Sequence, residues 1–433
     1  MSVGIESPAT ISSPAAGAPV SGALTTGAPG PARFDPRAWW PVAASVMAIA
    51  WGGNEFTPLL VLYRSLAGFS PVVVDGLLAA YVLGIVPALL IGGPLSDVLG
   101  RRRLLLPAAP ISFAGSLLLA VGSESALAIG IGRVLCGIAL GLVMAIGSAW
   151  VKELSDGAGA PPAAGARRAA LSLTAGFLLG AGAAAVLAQW APWPAHTAYL
   201  LHMAITVITG VWLIQVPETR PASVHERLSA RDLLSRLRVP SAAHRRFLRV
   251  VLPVAPWVFG AAGTAYAILP SLLSTHAGRY PIAFAGLMTV VTLGCGVGIQ
   301  ALGRRIDTHR SARASVIAMA IIAVGVVMAA LAAAVLSLAL GIAAAAVLGC
   351  GYGLALVAGL SEVQRIAGAE DLAGLTAVFY SIAYLGFFVP IVLAALSSWV
   401  SYPLLFTAGA VIALGTLIEV LCAWRAHLPG THA

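Results

Sequence analysis

Glu55, Asp75 and Arg133 each stand inside a long apolar stretch of this 433-residue chain. A charge at such depth costs at least about 2.5 kcal/mol unless it is paired or hydrated. Two carboxylates therefore share one guanidinium. Arg133 can neutralise one of them, and the other is left uncompensated in a low dielectric, where it binds a proton reversibly. Glu55 is the better proton carrier. It sits in Trp51-Gly52-Gly53-Asn54-Glu55-Phe56-Thr57-Pro58, a polar and irregular segment of the kind tolerated where it lines a cavity, and Asn54 is the only asparagine of the chain. Asp75 has an alternative reading as a first-turn helix residue near headgroup water. His202 can relay protons, although a single embedded histidine is more often a hydrogen-bonded packing residue.

The elements that hold these groups are apolar runs. Hydrophobic residues make up 59% of the chain, charged residues 9%, and the mean hydropathy is +0.94. Ordinary soluble domains carry roughly a quarter charged residues, so a soluble enzyme, a disordered chain and a secreted disulfide scaffold are excluded. Twelve runs occur, near 38–63, 71–95, 103–122, 126–150, 168–190, 195–216, 249–274, 281–302, 313–332, 335–360, 373–397 and 400–424. Their continuous apolar character predicts helices rather than barrel strands, since only a helix satisfies its own backbone in lipid.

Basic residues orient the chain. Of 25 Lys and Arg, Arg133 alone lies inside a run, and only Arg64 and Arg279 lie on the loops of one side. All the others fall in the tails or on the opposite loops, which predicts both termini in the cytoplasm. The net charge of +9 is thus explained without nucleic acid. With about 1.5 Å per residue, Glu55 and Arg133 lie about 10 Å and Asp75 about 6 Å below the outer edge.

Residues 1–36, rich in Ala, Gly, Pro, Ser and Thr, predict a disordered tail, and 425–433 a second short one. The 217–248 segment separates the first six runs (37–216) from the last six (249–424). Its Ser223–Glu226 and Ser229–Asp232 spacings with Leu228, Leu233, Leu234 and Leu237 suit a short amphipathic surface helix, and a flexible basic linker suits them as well. Cys136, Cys295, Cys350 and Cys422 have no ligand or pairing spacing, so neither a metal nor a disulfide is expected.

Leu99-Gly100-Arg101-Arg102 after the second run recurs as Leu302-Gly303-Arg304-Arg305 after the eighth, the matching place in the second set of six. Parallel repeats of this kind are a transporter architecture. Around the first copy, Gly93-Pro94-Leu95-Ser96-Asp97-Val98-Leu99-Gly100-Arg101-Arg102-Arg103 resembles the loop pattern G-x-L-x-D-[RK]-x-G-R-[RK] of the major facilitator superfamily, departing from it at Val98. Gly303-Arg304-Arg305-Ile306-Asp307 resembles its shortened second copy. Gly132-Arg133-Val134-Leu135-Cys136-Gly137 resembles the R-x-x-x-G pattern associated with proton-coupled members. Gly176 and Gly180 resemble the helix-five pattern of drug–proton antiporters, with Ala181 where that pattern has proline; small-residue packing explains them equally well.

The resemblance implies an all-α membrane protein of twelve transmembrane helices, in two six-helix halves related by a pseudo-two-fold axis. It implies a conformational latch of Gly93, Asp97, Gly100, Arg101 and Arg102 with Gly303, Arg304 and Asp307. Glycines permit close approach and a sharp turn, while Asp97 pairs with nearby arginines or a helix N-terminus. No nucleotide-binding signature occurs, so a proton gradient is the expected energy source, with no cofactor and no enzymatic activity. The expected function is alternating-access, proton-coupled efflux of small amphipathic compounds by a monomer in the cytoplasmic membrane. Uptake of a small neutral solute is the alternative, and a non-transporting membrane sensor the reading from another class. Trp257, Tyr380 and Tyr384, aromatics with a polar tip, join Asn54 as candidate cavity residues.

Overall fold

The structure is a computed structural model that describes residues 34–161, 163–221, 238–368 and 371–428. Among these residues ten helices are long and apolar enough to cross a membrane. In chain order, α1 (Trp39–Asn54) leads through a 3-10 turn (Thr57–Leu59) into a short helical extension (Leu60–Leu66). The spanning-length helices of the first part are α2 (Pro71–Leu99), α3 (Arg101–Val121), α4 (Ala126–Gly157) and α5 (Ala164–Trp190), followed by the shorter apolar α6 (Thr197–Leu213). Then come α7 (Phe247–His276), α8 (Pro281–Ile306), α9 (Arg313–Val335), α10 (Leu338–Ile366), α11 (Leu372–Leu396) and α12 (Tyr402–Cys422).

Local chemistry starts and interrupts these helices. Ser70, Ser125 and Ser337 cap α2, α4 and α10, each hydroxyl accepting from the backbone N–H three residues on at 3.3 Å. Pro71 and Pro281 occupy first-turn positions, where no N–H is needed. The interruption of α1 falls at Glu55 and Phe56, just before Pro58, and is braced by Asn54. That side chain donates to the Phe177 carbonyl at 3.1 Å and accepts from Thr57 Oγ1 at 2.8 Å. Widened π turns occupy Val143–Gly147 in α4 and Thr264–Ile268 in α7.

Small residues set the closest helix pairs. A Cβ on Gly84 of α2 would stand 2.1 Å from the Val134 carbonyl oxygen of α4, and one on Gly137 of α4 would stand 2.1 Å from the Tyr81 carbonyl oxygen of α2. The same contact recurs between α8 and α10, where a Cβ on Gly353 would meet the Gly296 carbonyl oxygen at 2.1 Å. Gly176 and Gly180 of α5 lie against the backbone of Met47 and Trp51 in α1, so small-residue packing is what this stretch does here. Contacts of α5 with α8, and of α2 with α11, join residues 34–221 to 238–428.

The expected amphipathic helix around Leu228 to Leu237 lies outside the described residues. Residues 1–33 of the expected tail lie outside them too, whereas Phe34 packs on Gly157 and its N–H donates to the Gly157 carbonyl at 3.3 Å. The start of the expected C-terminal tail is tied down. Ala312 N–H donates to the Trp424 carbonyl at 2.9 Å, and Arg246 Nη1 to the Ala426 carbonyl at 2.9 Å.

Candidate functional site

Glu55, at the interruption of α1, is fully shielded. Ser116 of α3 donates to its Oε1 at 3.2 Å, His202 Nδ1 of α6 lies 3.5 Å from the same oxygen, and Oε2 has no hydrogen-bond partner. Arg133 reaches the same region from α4. Its Nη1 donates to the Gly53 carbonyl at 3.3 Å, its guanidinium lies 4.2 Å from the Tyr81 ring centroid and 4.6 Å from that of Phe56, and its Nε is unpartnered. The aromatic faces compensate part of the desolvation, typically by 0.5 to about 2 kcal/mol each. Arg133 acts on Glu55 through space, and no ion pair joins them among the described residues. The expected grouping of all three charges is therefore looser than direct pairing. Asp75 is buried on α2, and no ion pair reaches it among the described residues.

Arg133 borders a central cavity of about 30 Å³, the size of one or two waters. Asn54, Tyr81 and Phe177 line it from one side, and Tyr266, Tyr384 and Phe387 from the other. Tyr384 stacks on Phe259 with centroids 4.3 Å apart, and Tyr81 meets Phe387 edge to face at 6.5 Å. A second cavity, of about 390 Å³, opens near Gly93 and Pro94 and is lined by Met144, Ser148, Gln364 and Tyr380 among others. Trp257 borders neither cavity; its indole N–H donates to Thr416 Oγ1 of α12 at 3.2 Å. Packing across α7 and α12 is the observed role of that side chain.

The arginine-rich loop end carries two ion networks. In the first, Arg101 Nη2 pairs with Asp97 at 2.9 Å and Glu153 at 2.8 Å, and Arg220 pairs with Asp97 at 2.9 Å. Glu218 caps the start of α3, accepting from the backbone N–H of Arg101 at 3.0 Å and of Arg102 at 2.9 Å. Arg102 Nη2 also donates to the Ile214 carbonyl at 2.7 Å. Gly100 has φ +93°, a left-handed conformation that strains any other residue, and a Cβ there would stand 2.7 Å from Glu218 Oε2. Gly93, expected to permit close helix approach, has no atom within 4 Å of where its Cβ would stand. It borders the 390 Å³ cavity instead.

In the second network Asp307 pairs with Arg365, which also meets Glu362 at 2.7 Å. Arg246, just before α7, grips Glu362 with two bonds of 2.5 and 2.7 Å. Gly303 packs on Leu354 and Val357 of α10. The side chain of Arg304 lies outside the described residues. Neither network crosses between residues 34–221 and 238–428 among the described residues. At the other end of the molecule such crossings exist. Arg64 donates to Ser271, and Gln189 Oε1 accepts from the backbone N–H of Ile282 at 3.2 Å and of Ala283 at 3.0 Å.

Sequence reasoning passed over Ser116, Glu153, Glu362 and Arg246. Glu153 and Glu362 lie near helix ends, and their spacing from basic loops was the available signal. Ser116, one serine in an apolar helix, gave none.

No curated protein matches the chain in sequence. Several solved structures match it in shape. A POT family transporter in complex with 5-aminolevulinic acid superposes with a TM-score of 0.70 at 13% identity, over 90% of this chain and 96% of that one. The nucleoside transporter NupG gives 0.66 at 13% identity, over 89% and 99%. The human organic anion transporter TETRAN gives 0.62 at 20% identity, over 89% and 99%. At these identities the likeness is one of fold. The family model of the Major Facilitator Superfamily matches residues 42–389, from the first helix into the eleventh. With that match over most of its length, and with its apolar helices, the chain belongs to the Major Facilitator Superfamily and is a multi-pass membrane protein with the transporter fold of that family.

Proposed function

We propose that the protein is a secondary transporter that exports small amphipathic compounds in exchange for protons, with Glu55 as the proton carrier and Arg133 as its electrostatic counterweight. The observation that carries this reading is a fully buried, half-partnered carboxylate set near, but not bonded to, a buried, under-bonded arginine that borders a central aromatic cavity. Both groups have unused bonding capacity, which a proton or a ligand can fill.

The interrupted α1 and the short α6 act as spans beside the ten longer helices, making twelve in two sets of six. The repeated glycine contact of α2 with α4 and of α8 with α10 supports that division. Both termini are cytoplasmic, in the cell membrane, because the arginine-rich loops lie at that end. The contacts of Arg64 with Ser271 and of Gln189 with Ile282 join the two sets at the outer end, which favours an inward-facing state. The aromatic lining, poor in fixed charge, favours amphipathic over strongly anionic cargo. Asp97 and Asp307 with their arginines brace each set at the cytoplasmic end as it rocks. Asp75 lies away from the cavity.

The test is transport in liposomes with an internal pH dye, using a panel of amphipathic dyes as cargo. Cargo-dependent proton movement opposite to the cargo, lost in Glu55→Gln, is expected. Movement of both in the same direction replaces export by uptake. Equal proton movement in the variant removes Glu55 as carrier, and cargo movement without protons leaves a facilitator.

A further inference from the structure

Away from the cavities, α1, α3 and α6 bury a line of polar side chains inside apolar packing. Ser116 Oγ stands 3.2 Å from Glu55 Oε1 and 2.7 Å from His202 Nδ1. His202 Nε2 stands 3.0 Å from the Ala48 carbonyl oxygen and 3.0 Å from Thr206 Oγ1. Glu55, Ser116 and His202 are all at 0% exposure. The ring is held from behind as well, since a Cβ on Gly52 would stand 2.3 Å from His202 Cε1.

Hydrogen-bond chemistry fixes where protons sit in this line. A carbonyl oxygen only accepts, so the tautomer that satisfies Ala48 carries hydrogen on Nε2, and Nδ1 of that neutral ring is a bare acceptor. Between that nitrogen and an ionised Glu55, the Ser116 hydroxyl has one hydrogen for two acceptors. One of them would be buried without a donor, which folded proteins avoid. One additional proton removes the conflict. Placed on Glu55 Oε1, it bonds to Ser116 Oγ while Ser116 donates to Nδ1. Placed on Nδ1, it bonds to Ser116 Oγ while Ser116 donates to Oε1. Both arrangements satisfy all three groups.

We propose that the proton-binding site is the three-residue unit Glu55–Ser116–His202, which holds one proton that passes between carboxylate and imidazole through the serine hydroxyl. In the transfer, the Glu55 Oε1–H bond breaks as a new O–H bond forms at Ser116, whose own hydrogen moves to His202 Nδ1. Glu55 becomes carboxylate, His202 becomes imidazolium, and no other bond changes. The other titratable groups facing the unit are Arg133 and Cys136 on α4, Tyr63 beyond the interruption of α1, and Tyr199 on α6. Arg133 acts only through space, Tyr63 and Tyr199 bond each other at 2.9 Å, and the Cys136 thiol is a weak donor. The unit rests on the reading of Glu55 as proton carrier and adds His202 as its second acceptor, with Ser116 as the relay between them.

Infrared difference spectroscopy of the full-length protein in lipid films, titrated by pH, tests this without any cargo. A protonated-carboxyl band that disappears in Glu55→Gln is expected, accompanied by imidazole ring changes. Ser116→Ala should change the frequency of that band and move its pH midpoint by about one unit or more, a tenfold change in proton affinity. Ser116→Thr, which keeps the hydroxyl, should restore both. His202→Gln can still donate to Ala48 and accept from Ser116, so it should fold, elute as wild type on size exclusion, and lose the imidazole signal with a displaced carboxyl midpoint. If the Glu55-dependent band keeps its frequency and midpoint in Ser116→Ala and His202→Gln, Glu55 works alone and the unit is overturned while the carrier reading stands. If no carboxyl band depends on Glu55, the carrier reading falls and takes the unit with it.

Discussion

Arg246 and Arg133 are both buried arginines, and the protein holds them in opposite ways. Arg246 places Nε and Nη2 on Glu362 and Nη1 on the Ala426 carbonyl, inside a network that continues to Arg365 and Asp307. Arg133 has a single long bond to a carbonyl, two aromatic faces and an unpartnered Nε, while the carboxylate nearest to it bonds elsewhere. A saturated arginine has no capacity left for a ligand and acts as a strut. An unsaturated one keeps donors in reserve at a standing cost, as the proposed proton-coupled cycle would require.

That contrast predicts which substitutions damage stability and which damage transport. Arg246→Met should be the most damaging to the fold, because it removes two bonds from the buried Glu362. A loss of about 3 to 5 kcal/mol is expected, read as a fall in thermal midpoint in detergent micelles. The double variant Arg246→Met with Glu362→Leu should recover part of that loss. An unchanged midpoint in the single variant would show that Arg365 alone can hold Glu362. Gly84→Ala comes next, at about 1 to 3 kcal/mol, since its methyl group would meet the α4 backbone; wild-type melting behaviour would mean that the two helices can separate freely. Arg133→Gln should reverse the pattern. Stability should stay within about 1 kcal/mol, while proton-coupled transport falls at least tenfold, about 1.4 kcal/mol of barrier. A variant that transports normally but melts early would place Arg133 among the struts. Smallest is Lys152→Ala, which removes an exposed pair with Asp156 and should cost less than about 0.5 kcal/mol, vanishing in high salt.

The Arg133 side of this contrast was legible in the sequence, for identifiable reasons, and the Arg246 side was not. Apolar runs set the helices, and the chemistry of Gly100, Asp97 and Arg101 announced a tight, charged loop. That Glu55 and Arg133 stand at one level followed from counting residues along helices of known rise, and the bond from Arg133 to the Gly53 carbonyl agrees with it. The face of each helix did not follow, because nearly every face of these helices is apolar and carries no periodic signal. Thus Glu55 turns towards Ser116 and His202 while Arg133 turns towards Tyr81, and Trp257, which reads as a cavity aromatic, bonds Thr416 on α12. His202 was visible, but its partners were not: Ser116 and Ala48 are 86 and 154 residues away in sequence. Gly93 failed as a packing glycine because close approach depends on what the opposite helix presents, and here it presents open space.

The backbone contact of α2 with α4 at Gly84 and Gly137 has a mechanical consequence. With carbonyl oxygens seated where side chains would stand, the two helices cannot slide past one another, so they move as a single stiff body. Asp97 lies thirteen residues along α2 from Gly84, about 20 Å of helix, and Arg133 directly precedes Val134 at the weld. A tilt imposed at the charged loop therefore carries the guanidinium and its Tyr81 seat together past Phe56, as the short arm of a lever follows the long one.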